Sequence, residues 1–188
     1  MLRALLVGSC LSLGAVGAVA QSEPGAWFSL AGEWRFALDP YDVGVRDAWA
    51  HTRLGDTIAL PGSTDEAHKG HRTVGAAVGR LTRLYEYVGP AWYQRDVTVP
   101  ADWAGKRIVL FLERCHWETQ AFVDGTPADT CNSLVAPHEH DLTPLLTPGQ
   151  HTITLRVDNT SESPSEPGAI PSPMRRRLTG TASSAGSS

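Results

Sequence analysis

The sequence predicts an all-β domain, a sandwich or barrel of short strands. Three observations carry that expectation. Apolar and polar residues alternate through several short segments, each segment closes on Gly, Pro, Asp or Asn, and almost nothing shows a helical apolar period.

Taken in chain order, "MLRALLVGSCLSLGAVGAVAQ" comes first. Arg3, an apolar run and the small-residue site Ala18-Val19-Ala20 have the form of a secretory signal peptide. Residues 1–20 are therefore expected to direct export, to the periplasm or beyond, with cleavage between Ala20 and Gln21. The mature domain is expected over 21–159. Within it "EWRFAL" sets Trp34, Phe36 and Leu38 on one face and stops at Asp39-Pro40. "VRDAWAH", Val45 to His51, is the one segment with a helical look, and it is short. Pro61 to Arg83 is long, polar and Gly-rich, which predicts a surface excursion able to line a ligand site.

"YQRDVTVP" sets Tyr93, Val97 and Val99 on one face with Arg95 between them. "KRIVLFLER" is apolar on both faces from Ile108 to Leu112, as a strand buried between two layers requires. "TQAFVDG" runs into Asp124-Gly125, a two-residue hairpin signal. "HTITLRVDN" alternates Ile153, Leu155 and Val157 against Thr154 and Arg156. After Asn159 the composition changes to Ser, Pro, Glu and Gly, so residues 160–188 are expected to be a disordered tail.

Composition excludes some functions. Of 188 residues, 16 are Lys or Arg and 20 are Asp or Glu, for a net charge of -4, which argues against a nucleic-acid partner. No stretch after residue 20 has the length of a membrane span. Cys10 leaves with the signal, so Cys115 and Cys131 remain. Counting outward from Asp124-Gly125 sets Cys131 across from Glu118 rather than Cys115, which predicts two unpaired, half-buried thiols.

Candidate chemistry is sparse. His138 and His140 in "PHEHD" share a face if extended, yet no third metal ligand is identifiable, and a structural or solvated pair is favoured over a metal site. Asp65, Glu66, Glu86 and Glu113 show no separation that would mark a glycosidase pair, so surface charge is the better reading. No nucleophile elbow, phosphate loop or dinucleotide fingerprint is present, and no cofactor is implied. The six tryptophans, Trp27, Trp34, Trp49, Trp92, Trp103 and Trp117, offer faces on which a sugar ring can stack. Trp34, inside an alternating strand, is expected in the core. Trp92 and Trp103, at strand ends, fit either role.

The motifs "LAGEWRFALDP", "IALPGSTDE", "LYEYVGPAWYQRDVTVPADWAGKRIVLFLERCHWETQAFVDG" and "APHEHDLTPLLTPGQHTITLRVDN" occur in that order between Trp27 and Asn159. Together they resemble the N-terminal sugar-binding domain of glycoside hydrolase family 2, which includes β-galactosidases and β-glucuronidases. The resemblance implies a jelly-roll β-sandwich of the galactose-binding type. It also implies that an immunoglobulin-like sandwich and a TIM barrel follow, the barrel carrying two catalytic glutamates. This chain has no Asn-Glu dipeptide and is too short for a barrel, so no catalytic residue carries over. In similar enzymes the strand ending in "RVDN" approaches the terminal sugar. Asp158 and Asn159 are the matching positions, a carboxylate and an amide suited to sugar hydroxyls, although a simple strand end with an Asx turn accounts for them equally well.

The resemblance also bears on the tail. Similar proteins continue into a segment of the form TQT-x-WNGIVGRIEL. Codons chosen for Met174 to Ser188 and read from the third base spell ATQTDWNGIVGRIE, which is that continuation. A frame change between Asn159 and Ile170 is expected, and with it a truncated family member. The expected partner is a β-linked glycan or terminal sugar, galactose or glucuronic acid being the first choices. A stand-alone carbohydrate-binding module and a non-functional fragment are the rival readings.

Overall fold

The computed structural model describes residues 26–74 and 83–160. The expected signal peptide, the tail beyond Thr160 and the centre of the 61–83 excursion lie outside the described residues. The described residues hold ten strands: β1 (Gly32–Leu38), β2 (Asp56–Leu60), β3 (His71–Arg72), β4 (Tyr85–Glu86), β5 (Pro90–Val99), β6 (Val109–Leu112), β7 (Glu118–Val123), β8 (Thr126–Asn132), β9 (His138–Asp141) and β10 (Gly149–Asp158). Among the described residues the helices are single 3-10 turns at Trp49–His51 and Ala101–Trp103. The all-β expectation therefore holds, and "VRDAWAH" supplies no more than one of these turns.

Six strands form one antiparallel sheet in the order β2-β1-β5-β10-β7-β8, while β6 pairs with β9 and β3 with β4. Period-two alternation gives the large sheet two different faces. Trp34 and Phe36 of β1, Val97 and Val99 of β5, Ala121 and Val123 of β7 and Ile153 and Leu155 of β10 point into the main core. Ile108, Leu110 and Leu112, on and beside β6, close it from the opposite layer. This explains why "IVLFL" is apolar throughout while its partners alternate.

The other face of the large sheet carries a second, smaller core. Trp92 and Phe122 pack there against Ala50 and Leu54 of the 39–55 segment. That segment is fastened by Asp39, which is fully buried. Its carboxylate accepts N–H bonds from Val43 (2.8 Å), Gly44 (2.7 Å) and the Trp92 indole (3.1 Å), enough donors to offset the cost of burying a charge. Trp34, Trp92 and Trp103 are thus all interior. For Trp92 and Trp103 the structure selects the packing role over the sugar-stacking one.

The β7–β8 hairpin turns on Asp124 (φ 49°) and Gly125 (φ 81°), the pair of positive φ values that such a two-residue turn requires. A bulge between Gln120 and Phe122 then shifts the register, so Cys131 lies opposite Thr119. The sequence count had placed it opposite Glu118. The extra residue on β8 accounts for the difference of one. Both cysteines are free thiols, Cys115 buried and Cys131 half-buried, so the unpaired state holds even though the register behind it needed correcting.

Candidate functional site

Strand β10 ends in Arg156, Val157 and Asp158. Alternation turns Arg156 and Asp158 to the sheet's outer face and Val157 to the core. The Arg156 guanidinium is buried, and Nη2 donates to Asp42 Oδ1 (2.7 Å) and Asp158 Oδ2 (2.9 Å) while Nη1 lies 3.8 Å from Glu118 Oε1. Burial opposes the charge on Arg156, but the bond to Asp42 and the field of Asp42 and Asp158 more than offset it and hold the group firmly protonated. One cation thus faces three carboxylates, and the strand end carries net negative charge. Such a surface favours hydroxyl donors over anions.

Asp158 is the central group. Its Oδ1 accepts the Thr160 N–H (2.9 Å), which is the Asx turn anticipated from the sequence. Burial works to raise its pKa, yet the Thr160 bonds and Arg156 outweigh that effect and keep it below the usual carboxylate range. The Asp158 side chain retains 13% exposure. Its backbone carbonyl accepts the main-chain N–H of Trp117 (2.7 Å), which continues the β7–β10 ladder by one bond.

Asn159 has a different position. Its Oδ1 accepts the Gly89 N–H (2.7 Å) and its Nδ2 donates to the Tyr87 carbonyl (2.8 Å). The side chain pins the loop before β5 to the end of β10, leaving one lone pair and one N–H unused. Asp158 and Asn159, neighbours in sequence, therefore divide into a solvent-facing carboxylate and a loop fastener.

The other candidates separate from this end. Glu66 Oε2 accepts the Ser63 N–H (3.0 Å) while Ser63 Oγ accepts the Glu66 N–H (3.1 Å), a reciprocal capping arrangement. Asp65 accepts the Tyr85 N–H (2.7 Å). Glu66 is used in a local turn and Asp65 in tying that turn to β4. A shallow polar depression lined by Arg35, Gln94, Asp96, Asp124 and Thr152 lies on the outer face, roughly 20 Å along β10 from Asp158. His138 and His140 are fully buried. They are joined through Thr119 Oγ1, 2.6 Å from His138 Nδ1 and 2.9 Å from His140 Nε2. The pair is buried, not solvated.

Sequence reasoning named Asp158 and Asn159 as candidates but not Arg156, Asp42 or Glu118 beside them. Arg156 lies two residues before Asp158 on the same face of β10, which alternation along "RVD" could have found, whereas Asp42 comes from the 39–55 segment and Glu118 from β7, and no local pattern announces either.

The molecule is thus an antiparallel sandwich whose long strand ends in an acidic cluster. Residues 28–166 match the family Glycosyl hydrolases family 2, sugar binding domain, and the chain belongs to that family. It is similar to a β-glucuronidase of Paenibacillus borealis, 30% identical over 69% of this chain and 20% of that protein. It is also similar to the β-glucuronidase of Canis lupus familiaris, 32% identical over 70% of this chain and 21% of that protein. The chain thus spans about a fifth of the length of the curated relatives it matches. Among solved structures it superposes on the β-glucuronidase of Ruminococcus gnavus, solved in complex with D-glucuronic acid. The TM-score is 0.59 at 20% identity, over 69% of this chain and 21% of that one, a likeness of fold.

Proposed function

We propose that this chain is the non-catalytic sugar-binding sandwich of an exported hydrolase of the β-glucuronidase type, and that Asp158 contacts the hydroxyls of a terminal β-linked sugar. The observation that carries the reading is the end of β10. There a carboxylate kept ionised by Thr160 and Arg156 retains partial solvent exposure in an acidic surround. A carboxylate accepts from two hydroxyls at once. Because the surrounding charge is negative, Asp158 addresses the hydroxyl side of a uronic acid, and any uronate carboxylate is met elsewhere in the assembled enzyme. Asn159 holds the Tyr87–Gly89 loop against the strand and offers its unused lone pair and N–H to the same sugar.

The catalytic glutamates belong, on this reading, to a barrel encoded beyond a frame change after Asn159, and residues 1–20 direct export. Sequencing the gene past the stop codon tests the first point, because a restored frame should encode an Asn-Glu pair. Saturation-transfer NMR on the 188-residue chain tests the site. Methyl β-D-glucuronide should receive saturation at its hydroxyl-bearing ring positions, and Asp158→Ala should remove the effect in a chain that remains folded. Transfer that is equal in wild type and Asp158→Ala would reject Asp158 as the contact.

A further inference from the structure

Around the buried histidine pair the hydrogen bonds do not all carry a hydrogen when both rings are neutral. The Ser133 carbonyl, which can only accept, lies 2.9 Å from His138 Nε2, so that nitrogen carries hydrogen. In neutral His138 the Nδ1 lone pair then accepts from the Thr119 hydroxyl, and Thr119 Oγ1 in turn accepts from His140 Nε2–H. A neutral His140 is left with a lone pair on Nδ1, and that lone pair is aimed at the Asp129 carboxylate. Four contacts share three hydrogens. Two lone pairs oppose each other unless a fourth positive centre, a proton or a metal ion, stands between them.

Cys131 decides between the two. A proton needs only Asp129 and His140, but Cys131 Sγ also lies 3.9 Å from the same Nδ1. Among the described residues, Asp129, Cys131 and His140 bring three ligand atoms within 4.8 Å of one another. Zinc bonded at about 2.0 Å to oxygen and nitrogen and 2.3 Å to sulfur needs ligand separations of roughly 3.2–3.7 Å, so Cys131 Sγ closes slightly on His140 Nδ1 while the exposed Asp129 carboxylate, in direct hydrogen-bond contact with Nδ1, swings outward to admit the ion. Asp129 and Cys131 are two apart on β8, at the edge of the large sheet, and Asp129 is exposed. An ion can therefore enter from solvent and keep a water in its fourth position. His140 is already oriented by Thr119, the outer-shell bond that metal-binding histidines characteristically make.

We propose that Asp129, Cys131 and His140 form a binding site for a borderline-soft divalent cation, with zinc the best fit to a carboxylate, thiolate and imidazole set. On binding, the Cys131 thiol, which otherwise donates toward the Glu139 carbonyl (3.4 Å), releases its proton to solvent as the sulfur–metal bond forms. The site lies on a different strand pair from Asp158 and does not depend on the sugar-binding reading. The test titrates the 188-residue chain with cobalt(II) as a spectroscopic substitute for zinc. A thiolate-to-cobalt charge-transfer band should rise to one equivalent and be displaced by zinc. It should persist in Cys10→Ser and Cys115→Ser and vanish in Cys131→Ser. Thr119→Val should weaken zinc binding by about 10- to 100-fold. Absence of the band in a chain folded by circular dichroism, or its survival in Cys131→Ser, would overturn the proposal.

Discussion

Asp39, Gly44 and Trp92 show how closely single residues are fitted. A Cβ on Gly44 would stand 2.5 Å from the Trp92 indole nitrogen and 2.8 Å from Asp39 Oδ2, closer than atoms pack. Gly44→Ala should therefore cost about 1–3 kcal/mol, seen as a lower urea midpoint with an unchanged slope. Asn159→Ala strips the Gly89 N–H and the Tyr87 carbonyl of their partner and should cost a similar ~1–3 kcal/mol. A wild-type midpoint in either variant would contradict the packing described. Asp96 gives a pH signature. The bidentate bond from Arg35, 2.7 Å on each arm, holds its carboxyl at about 2. Because the folded-state pKa is depressed, the contribution is present above the unfolded value of about 4 and fades as pH falls toward 2. The Asp96 side chain is 60% exposed, so the effect stays below about 1 kcal/mol. Asp96→Asn should lower the thermal midpoint slightly at neutral pH, by no more than that contribution, leave it unchanged near pH 2, and so flatten the acid limb.

At the scale of strands, legibility followed burial. β1, β5 and β10 were readable because each sets one face to a core and the other outward, so alternation survives in the sequence. β8, "TPADTCN", has no apolar face to alternate, since it lies at a sheet edge with mostly exposed residues. β2 offers only Ile58 and Leu60 as buried residues. The turn at Asp124-Gly125 was legible from its residue types, but the bulge was not, because an extra residue on an exposed edge leaves no apolar mark. That bulge sets Cys131 opposite Thr119, beside the histidine pair, while Cys115 stays in the core. Burial pushes the Cys115 thiol up to about 12. In the folded chain Cys131 should therefore take up a thiol reagent at neutral pH, and Cys115 only after unfolding, as peptide mapping of the labelled protein would show. Equal labelling of both would contradict this packing.

For the molecule as a whole, the ordered run of motifs between Trp27 and Asn159 made the family legible, because those motifs are the strands and turns of one sandwich. The candidate site was legible only in part. Asp158 could be named from the strand end and Arg156 lies two residues before it on the same strand, but Glu118 arrives from β7 and Asp42 from the 39–55 segment, through contacts that one dimension does not encode. The account assigns this sandwich recognition without bond cleavage. The most direct measurement is phenolate release from an aryl β-D-glucuronide by the pure, folded 188-residue chain, with Asp158→Ala in parallel. The account predicts no release above the uncatalysed rate from either protein. Turnover by the wild-type chain that a single carboxylate substitution within it abolishes would contradict the account, since the catalytic groups would then lie in this sandwich.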